Sequence, residues 1–143
     1  LSALVGDARS TAADAAESKT IDLAITVESD APMVIDVRLI RSALGNLLHN
    51  AIKYTHAGGH IALRARVTGA HAEIEVEDSC GGIPPGSLDQ LFMPFVRRNT
   101  TEAGFGLGLA IAKQAIDAHG GTIHVQNLVG KGCIFVVELP LGN

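Results

Sequence analysis

Two segments of alternating side chains, residues 63–66 and 73–76, constrain the fold of this chain more than any other feature. They flank Gly69-Ala70, and a two-residue loop that begins with Gly is typical of a tight β-hairpin. Pairing the segments about this loop sets opposite charges across one face: Arg66 opposite Glu73, and Arg64 opposite Glu75. The same register pairs apolar residues on the other face: Ala65 with Ile74, and Leu63 with Val76. Because both faces agree, the sequence predicts this hairpin and this register.

Helical and strand-like patterns alternate along the rest of the chain. In the segment after Asp36, apolar residues recur every three or four positions, which predicts an amphipathic helix that Gly58-Gly59 ends. These residues are Ile40, Ala43, Leu44, Leu47, Leu48, Ala51 and Ile52. Further helices are predicted at residues 3–18 and 107–119, and further strands at 21–27, 121–127 and 133–140. The predicted fold class is α/β (α+β): a single domain, residues 1–143, in which a mixed, mainly antiparallel sheet carries helices on one face of a two-layer sandwich.

An acidic residue falls on the apolar face of the second hairpin strand. In IEVEDSCG, residues 74–81, Ile74 and Val76 share one face, and by the same parity Asp78 lies there too. An unpaired carboxylate in such a place costs roughly several kcal/mol. The glycines after it allow a close backbone approach, so Asp78 suits a small ligand that offers a hydrogen-bond donor, such as the adenine amine. A capping contact to the following turn explains Asp78 equally well.

Three polar residues form a row on the predicted long helix. Asn46, Asn50 and Lys53 stand at i, i+4 and i+7, so at about 100° per residue they fall within a wedge of about 60°. Two amides and an ammonium in one row can ligate a hard cation and contact phosphate oxygens. Taken alone, the row is more simply interpreted as a solvated polar face. Tyr54, the only tyrosine, could lie against a planar ring or cap the core.

Glycines are concentrated just before the last predicted helix, in GFGLGLAIAKQAI. Gly104, Gly106 and Gly108 precede or open this helix, where free N–H groups and the positive end of the helix dipole favour an anion. A flexible hinge is the alternative. The spacing differs from the dinucleotide-binding G-x-G-x-x-G, and the sequence contains no G-x-x-x-x-G-K-[ST], H-R-D or D-F-G motif.

Composition argues against several classes of function. The net charge is −4, from 11 basic and 15 acidic residues, and no more than two Lys or Arg residues are adjacent in the sequence. Both facts argue against a nucleic-acid or anionic-membrane binder. No apolar run approaches the roughly 20 residues of a membrane span. Two cysteines, Cys80 and Cys133, are too few for a disulfide framework and lack zinc spacing, so a reducing, cytoplasmic environment is expected.

Four motifs occur together and in a specific order: NLLHNAIKYT (46–55), DSCGGI (78–83), LFMPF (91–95) and GFGLGLAI (104–111). In this combination the chain strongly resembles the catalytic ATP-binding domain of bacterial sensor histidine kinases. The wider superfamily includes the ATPase domains of DNA gyrase B and of the mismatch-repair protein MutL. The resemblance covers nearly the whole chain and implies a Bergerat-type ATP-binding fold that uses ATP and Mg²⁺.

The resemblance implies roles for the residues of the first motif, the N box. Asn50 corresponds to the residue that ligates Mg²⁺, Lys53 to a phosphate-contacting lysine, and Tyr54 to the aromatic residue beside the nucleotide. Asn46, the catalytic candidate, occupies the position at which gyrase-like relatives carry a glutamate general base. An amide there should activate water poorly, which suits transfer of the γ-phosphoryl group to a protein side chain rather than hydrolysis.

The second and third motifs imply an adenine pocket and the root of a lid. Asp78 corresponds to the aspartate that receives the adenine amine, and it would select adenine over guanine because a carboxylate can only accept. Gly82 corresponds to the second glycine of D-x-G-x-G, and Ile83 follows it. Phe92 and Phe95 correspond to the apolar anchors of the F box.

The lid and the last motif would enclose the phosphates. Residues 96–103 correspond to an unusually short ATP lid, in which Arg97 and Arg98 could contact phosphate or could simply be solvated charges. The resemblance implies that a second glycine box grips the phosphates, through Gly104, Phe105, Gly106, Leu107, Gly108 and Leu109.

Two cysteines depart from the family pattern. Cys80 stands where the pattern carries glycine, which would cost about 1 kcal/mol if φ there is positive, or nothing if the site accepts a small residue. A sharper hypothesis is that the Cys80 thiol makes nucleotide binding redox-sensitive; alkylation unaffected by saturating ATP would exclude it. Cys133 replaces a common threonine and is expected to lose one hydroxyl contact and little else.

The histidines of this chain indicate a separate substrate domain. None of the six lies in the H-E-[LIF]-R-like context of a phosphoacceptor: His49, His56, His60, His71, His119 and His124. The chain is therefore expected to be a monomeric, cytoplasmic catalytic module whose substrate histidine lies on a dimerisation domain of the same kinase, with residues 1–5 as the end of a linker. A response regulator is the expected indirect partner, the parent protein could be membrane-anchored, and neither nucleic acid nor direct membrane contact is expected.

Two other functions fit part of the sequence. A serine kinase of the anti-sigma type, which phosphorylates an anti-anti-sigma partner, has the same fold and also lacks its own histidine, but NAIKYT and the Phe-x-Pro-Phe box favour the histidine-kinase branch. A non-catalytic module that uses nucleotide as a conformational switch is suggested by Cys80 and the short lid. Asn50, Asp78 and the three phosphate-side glycines argue against that second alternative.

Overall fold

A computed structural model describes residues 2–55, 57–79, 108–128 and 132–142, which form three helices and one five-stranded sheet. The helices are α1 (Ser2–Ser18), α2 (Val37–Tyr54) and α3 (Gly108–Ala118). The strands are β1 (Asp22–Val27), β2 (His60–Thr68), β3 (His71–Asp78), β4 (Thr122–Leu128) and β5 (Gly132–Pro140). Every helix and strand predicted in these ranges is present.

The sheet has the strand order β1-β2-β3-β5-β4. β1 runs parallel to β2, to which it is connected through α2, and the other pairs are antiparallel, so the predicted mixed sheet is confirmed. The predicted hairpin register is also confirmed, with Arg66 opposite Glu73 and Arg64 opposite Glu75. Gly69 adopts a φ of 61° in the two-residue turn, a conformation that glycine reaches without steric cost.

Helices cover one face of the sheet, and a single apolar core fills the space between the two layers. α2 lies between α1 and α3 and packs over β3. All seven residues of the stripe predicted for α2 are buried, none more than 7% exposed. Alternate residues of β2 and β3 are buried beneath them, so the period-two pattern of the strands meets the helical stripe in the core.

The start of α2 is well defined, whereas its end differs from the prediction. The Asp36 carboxylate accepts hydrogen bonds from the N–H groups of Arg38 (3.1 Å) and Leu39 (3.3 Å), which caps the first turn. The prediction that Gly58-Gly59 ends this helix was wrong by several residues. Thr55 is already extended (φ −86°, ψ 134°), although its N–H still bonds to the Ala51 carbonyl.

Opposite charges line the outer face of the sheet. The Arg64 guanidinium lies 2.9 Å from Glu77 and 3.1 Å from Glu75, and Arg66 lies 2.8 Å from Glu73. Hydrogen bonds to Glu77 and then Glu75 raise the pKa of Arg64 above its ordinary value. Partly exposed surface pairs of this kind contribute at most about 1 kcal/mol each, so they reinforce a register that burial of the opposite face already specifies.

No helix in the described ranges is both long and apolar enough to span a membrane.

Candidate functional site

The buried carboxylate of Asp78 lies at the end of the central strand. Asp78 is the last residue of β3, is 3% exposed, and has Ile61 of β2 and Cys133 of β5 as its cross-strand partners. Strand parity therefore predicted its burial correctly. A carboxylate held on the inner face of a sheet, where a strand gives way to a loop, can accept a hydrogen bond from a ligand that enters there.

A thiol accompanies this carboxylate, which the sequence did not predict. Cys133 Sγ lies 3.4 Å from both carboxylate oxygens of Asp78, and the Cys133 side chain is fully buried. The interpretation of Asp78 as an acid whose partner arrives only with a ligand was therefore incomplete. The expectation for Cys133 was incomplete too. Its thiol takes the place of the usual threonine hydroxyl and still offers the Asp78 carboxylate a weak hydrogen-bond donor.

The structure brings Asn46, Asn50 and Lys53 to one side of α2, as predicted. All three are half-buried, whereas a simple solvated face would leave them exposed. Asn50 Nδ2 is enclosed and has no hydrogen-bond partner within the described part of the chain. An unsatisfied buried amide costs about 1–3 kcal/mol, so it is the kind of group that a ligand or an ordered water satisfies.

The amide of Asn50 also fits a hard cation. Across the described residues there is no cluster of three His, Cys, Asp or Glu side chains that could hold a metal ion. Mg²⁺ does not need one, since it usually keeps several waters and takes one or two protein ligands together with substrate phosphates. An amide oxygen on a helix, such as that of Asn50, is a ligand of the kind that Mg²⁺ accepts.

Gly108 opens α3, as the position of the last glycine motif predicted. Gly108 is the first residue of α3, so the glycine-rich motif leads directly into a helix N-terminus. The Leu109 side chain belongs to the hydrophobic core, which leaves its backbone N–H as the group that could face a ligand. Tyr54 is the last residue of α2.

The remaining predicted site residues lie outside the described ranges. They are Cys80, Gly82, Ile83, Phe92, Phe95, Arg97, Arg98, Gly104, Phe105, Gly106 and Leu107, together with the lid, residues 96–103.

Sequence reasoning missed Gly132, which packs against Asp78, and Thr55, which follows α2. A Cβ built on Gly132 would overlap the carbonyl oxygen of Asp78 and lie 2.9 Å from its carbonyl carbon, so only glycine allows β5 to approach β3 there. Thr55 is fully buried, and its Oγ1 has no partner among the described residues. A glycine one position before a strand was the only available signal for Gly132, and Thr55 carried none.

His119 is structurally engaged. Its Nδ1 lies 2.7 Å from the carbonyl oxygen of Ala115, and its Nε2 accepts the N–H of Asp36 at 3.0 Å. The ring therefore joins the end of α3 to the start of α2. His49, His60, His71 and His124 are exposed.

Comparison with known proteins agrees with this arrangement. The family model described as histidine kinase-, DNA gyrase B- and HSP90-like ATPase matches residues 35–143. The sensor protein TorS of Escherichia coli (strain K12) is 38% identical over 127 residues, which are 87% of this chain and 14% of TorS. TorS and seven other curated relatives are much longer, and the chain spans between 12 and 34% of their length.

Solved structures of histidine kinases share the fold. The nucleotide-free catalytic domain of histidine kinase ThkA matches with a TM-score of 0.88 at 27% identity, over 99% of this chain and 93% of that one. Full-length ShkA in complex with AMPPNP matches with a TM-score of 0.84 at 31% identity, over 96% of this chain and 30% of that one. ThkA in complex with the response regulator protein TrrA matches with a TM-score of 0.83 at 26% identity, over 99% of this chain and 40% of that one.

Proposed function

Since the chain belongs to the histidine kinase-, DNA gyrase B- and HSP90-like ATPase family, as a catalytic domain of the sensor histidine kinase type, we propose that it binds Mg·ATP and transfers the γ-phosphoryl group to a histidine on a separate dimerisation domain. The domain comprises residues 1–143, and Leu4 and Val5 of α1 belong to its core.

The observation that carries this proposal is the buried carboxylate of Asp78 at the end of the central strand. A carboxylate that is 3% exposed is expensive to keep unless hydrogen bonds offset its desolvation. A carboxylate has two oxygens with about four acceptor sites, so the contact from the Cys133 thiol still leaves room for a donor from a ligand. The amine of adenine supplies such a donor, and guanine presents a carbonyl oxygen in the corresponding place, which the carboxylate would repel.

Residues of α2 and the N-terminus of α3 would form the phosphate-binding side of the site. The amide of Asn50 would hold Mg²⁺, which supplies charge neutralisation on the phosphates when it is bound. Lys53 would contact the phosphates, and the helix N-terminus at Gly108 would donate backbone N–H groups to them. Arg97 and Arg98 of the lid are candidates for further phosphate contacts.

The chain contributes position and charge to the transfer step rather than covalent chemistry. A lone pair on an imidazole nitrogen of the acceptor forms the N–P bond as the bond from the β,γ-bridging oxygen to phosphorus breaks, and ADP leaves with that electron pair. Asn46 cannot act as a general base because an amide has no basic lone pair at neutral pH. Hydrolysis should therefore be slow relative to transfer.

A titration followed by a transfer assay tests the proposed function. Calorimetry should detect binding of Mg·ATP, and incubation with the isolated dimerisation domain and labelled ATP should yield acid-labile phosphate on histidine. Acid-stable phosphoserine on an anti-anti-sigma partner would indicate the serine-kinase alternative instead. Binding of Mg·ATP without transfer would indicate a nucleotide-dependent switch. Absence of binding would reject all three functions: histidine kinase, serine kinase and switch.

The partners and location of the domain are part of the same proposal. The direct partner is the dimerisation and phosphoacceptor domain of the same kinase, and a response regulator is the indirect one. A solved complex of the structurally similar ThkA with a response regulator supports the second of these. We place the domain in the cytoplasm, where ATP is available.

The thiol of Cys133 should contribute to nucleotide affinity. Replacing it in Cys133→Ala removes a donor from Asp78, and we expect the dissociation constant of Mg·ATP to rise about threefold to tenfold. Cys133→Thr restores a donor at the same position and should bind ATP within about twofold of the parent protein. Isothermal titration of the three proteins measures this, and identical affinities for Cys133→Ala and the parent would contradict it.

A further inference from the structure

The ammonium of Lys19 contacts the last turn of α2 from a distant part of the sequence. Lys19 Nζ donates to the carbonyl oxygens of Ile52 (2.9 Å) and Lys53 (3.1 Å), which lie 33 and 34 residues further along the chain. The last carbonyls of a helix lack intrahelical donors, and they form the negative end of its dipole. Lys19 therefore caps α2 with a charge of the favourable sign.

Lys19 is itself held by a defined turn at the end of α1. The Ile21 N–H bonds to the Ala16 carbonyl (2.9 Å) and the Thr20 N–H to the Glu17 carbonyl (3.0 Å), which together form a Schellman motif. Thr20 occupies the left-handed position of this motif with a φ of 57°, where glycine is usual. Among the described residues it is the one non-glycine residue with a positive φ, so the surrounding contacts hold the backbone in an unfavourable conformation.

The same turn is joined to the segment that follows α2. The Gly58 N–H bonds to the Thr20 carbonyl (3.1 Å), and the Asp22 N–H bonds to the Gly59 carbonyl (3.0 Å). The end of α1 is thus connected both to the last turn of α2, through Lys19, and to the chain just beyond it. A displacement of the Lys19 ammonium would act directly on the backbone of Lys53, because it is the carbonyl of Lys53 that accepts the hydrogen bond.

We propose that Lys19 is a positioning residue for the phosphate side of the site. Its ammonium holds the C-terminal turn of α2 where Asn50 and Lys53 can reach the nucleotide phosphates. It also offsets the negative end of the helix dipole, which would otherwise repel an anion that approaches this turn. The inference rests on the proposed function, because it assigns Lys19 a role only in binding the phosphates of ATP.

The test compares ATP with adenosine, which shares the base and lacks the phosphates. Lys19→Met keeps the aliphatic stem and removes the charge and the donors, so we expect the dissociation constant of Mg·ATP to rise about fivefold. Adenosine affinity should stay within about twofold of the parent value. Lys19→Arg keeps the charge and the donors and should restore ATP affinity. Lys113 is a partly exposed lysine paired with Asp117 on α3, so Lys113→Met should change the affinity for neither ligand.

Two outcomes would overturn the assignment. One is Mg·ATP affinity in Lys19→Met equal to that of the parent, and the other is a parallel loss of ATP and adenosine affinity that Lys19→Arg does not rescue. The second pattern would make Lys19 a structural residue only. If Lys19→Met does not fold, Lys19→Gln, which keeps a donor without the charge, supports the same comparison.

Hydrogen exchange separates failure of this inference from failure of the proposed function. In nucleotide-free protein, the amides of residues 50–55 should exchange about fivefold faster or more in Lys19→Met than in Lys113→Met. This result does not depend on ATP binding. If the parent protein does not bind ATP, the proposed function and the role of Lys19 in phosphate binding both fail. If the parent protein binds ATP but these amides exchange equally fast in Lys19→Met and Lys113→Met, only the role of the Lys19 contact is overturned.

Discussion

Asp78→Asn should raise the dissociation constant of Mg·ATP about tenfold to a hundredfold while the protein stays folded. Hydrogen bonds to charged groups contribute about 1.5–3 kcal/mol, and each 1.4 kcal/mol corresponds to a factor of ten in affinity. The amide of Asn carries no charge, and it offers only one acceptor oxygen where the carboxylate offers two. If its nitrogen faces adenine, two donors oppose each other. The fold should persist because the two side chains have the same shape and a neutral amide is easier to bury.

Isothermal titration with ATP and with GTP measures both consequences of this substitution. The preference for ATP over GTP should fall together with the affinity, since Asp78 is the group that distinguishes an adenine amine from a guanine carbonyl. Asp117→Asn is the matched control, because Asp117 is exposed on α3 and its carboxylate forms an ion pair with the partly exposed Lys113. A folded Asp78→Asn protein that binds ATP as the parent does would refute the adenine assignment.

Gly132→Ala should lower the stability of the whole domain. The added methyl group would overlap the carbonyl oxygen of Asp78 and lie 2.9 Å from its carbonyl carbon and 3.1 Å from Ser79 Cα. All three atoms belong to the backbone, so no side-chain rotation relieves the contact and β5 must move away from β3. Overpacking of this kind costs about 3 kcal/mol, which corresponds to a decrease in the melting temperature of about 10 °C. Nucleotide affinity should fall as well, because the displaced backbone carries Asp78.

Thermal unfolding followed by circular dichroism measures the effect, with Gly6→Ala as the control. Gly6 lies inside α1, and a methyl group added to its Cα would meet nothing within 4 Å. The same chemical change there should raise stability by about 0.5–1 kcal/mol, since alanine favours a helix more than glycine does. A melting temperature for Gly132→Ala equal to that of the parent would show that the two strands have room for a methyl group.

Local periodicity accounts for the parts of the fold that were predicted well. The stripe of α2 and the alternation of β2 and β3 each repeat within a short window, and burial of one face enforces that repeat in the folded protein. The burial of Asp78 could be predicted for the same reason, because its position in the strand follows from Ile74 and Val76. The end of α2 was less predictable, since Thr55 leaves the helix three residues before Gly58 and the apolar pattern does not mark that position.

In the candidate site, too, local spacing predicted some features, and others depend on the surrounding structure. Spacing along one helix places Asn46, Asn50 and Lys53 on one side of α2, and the structure agrees. Spacing could not show that the Asn50 amide is enclosed without a partner among the described residues, because the enclosure depends on the elements around α2. The polar row therefore looked like a solvated surface in the sequence and is half-buried in the folded chain.

By itself, the sequence determined the helices, the strands, the hairpin register and the face on which Asp78 lies, because these depend on repeats of two and of 3.6 residues. Only the tertiary structure decided which distant residues meet. Cys133 reaches Asp78 across 55 positions because β5 is inserted beside β3, and Gly132 is needed for the same close pairing. Lys19 reaches the end of α2 because α1 packs against it. Such contacts follow from strand order and helix packing, which no short segment of sequence encodes.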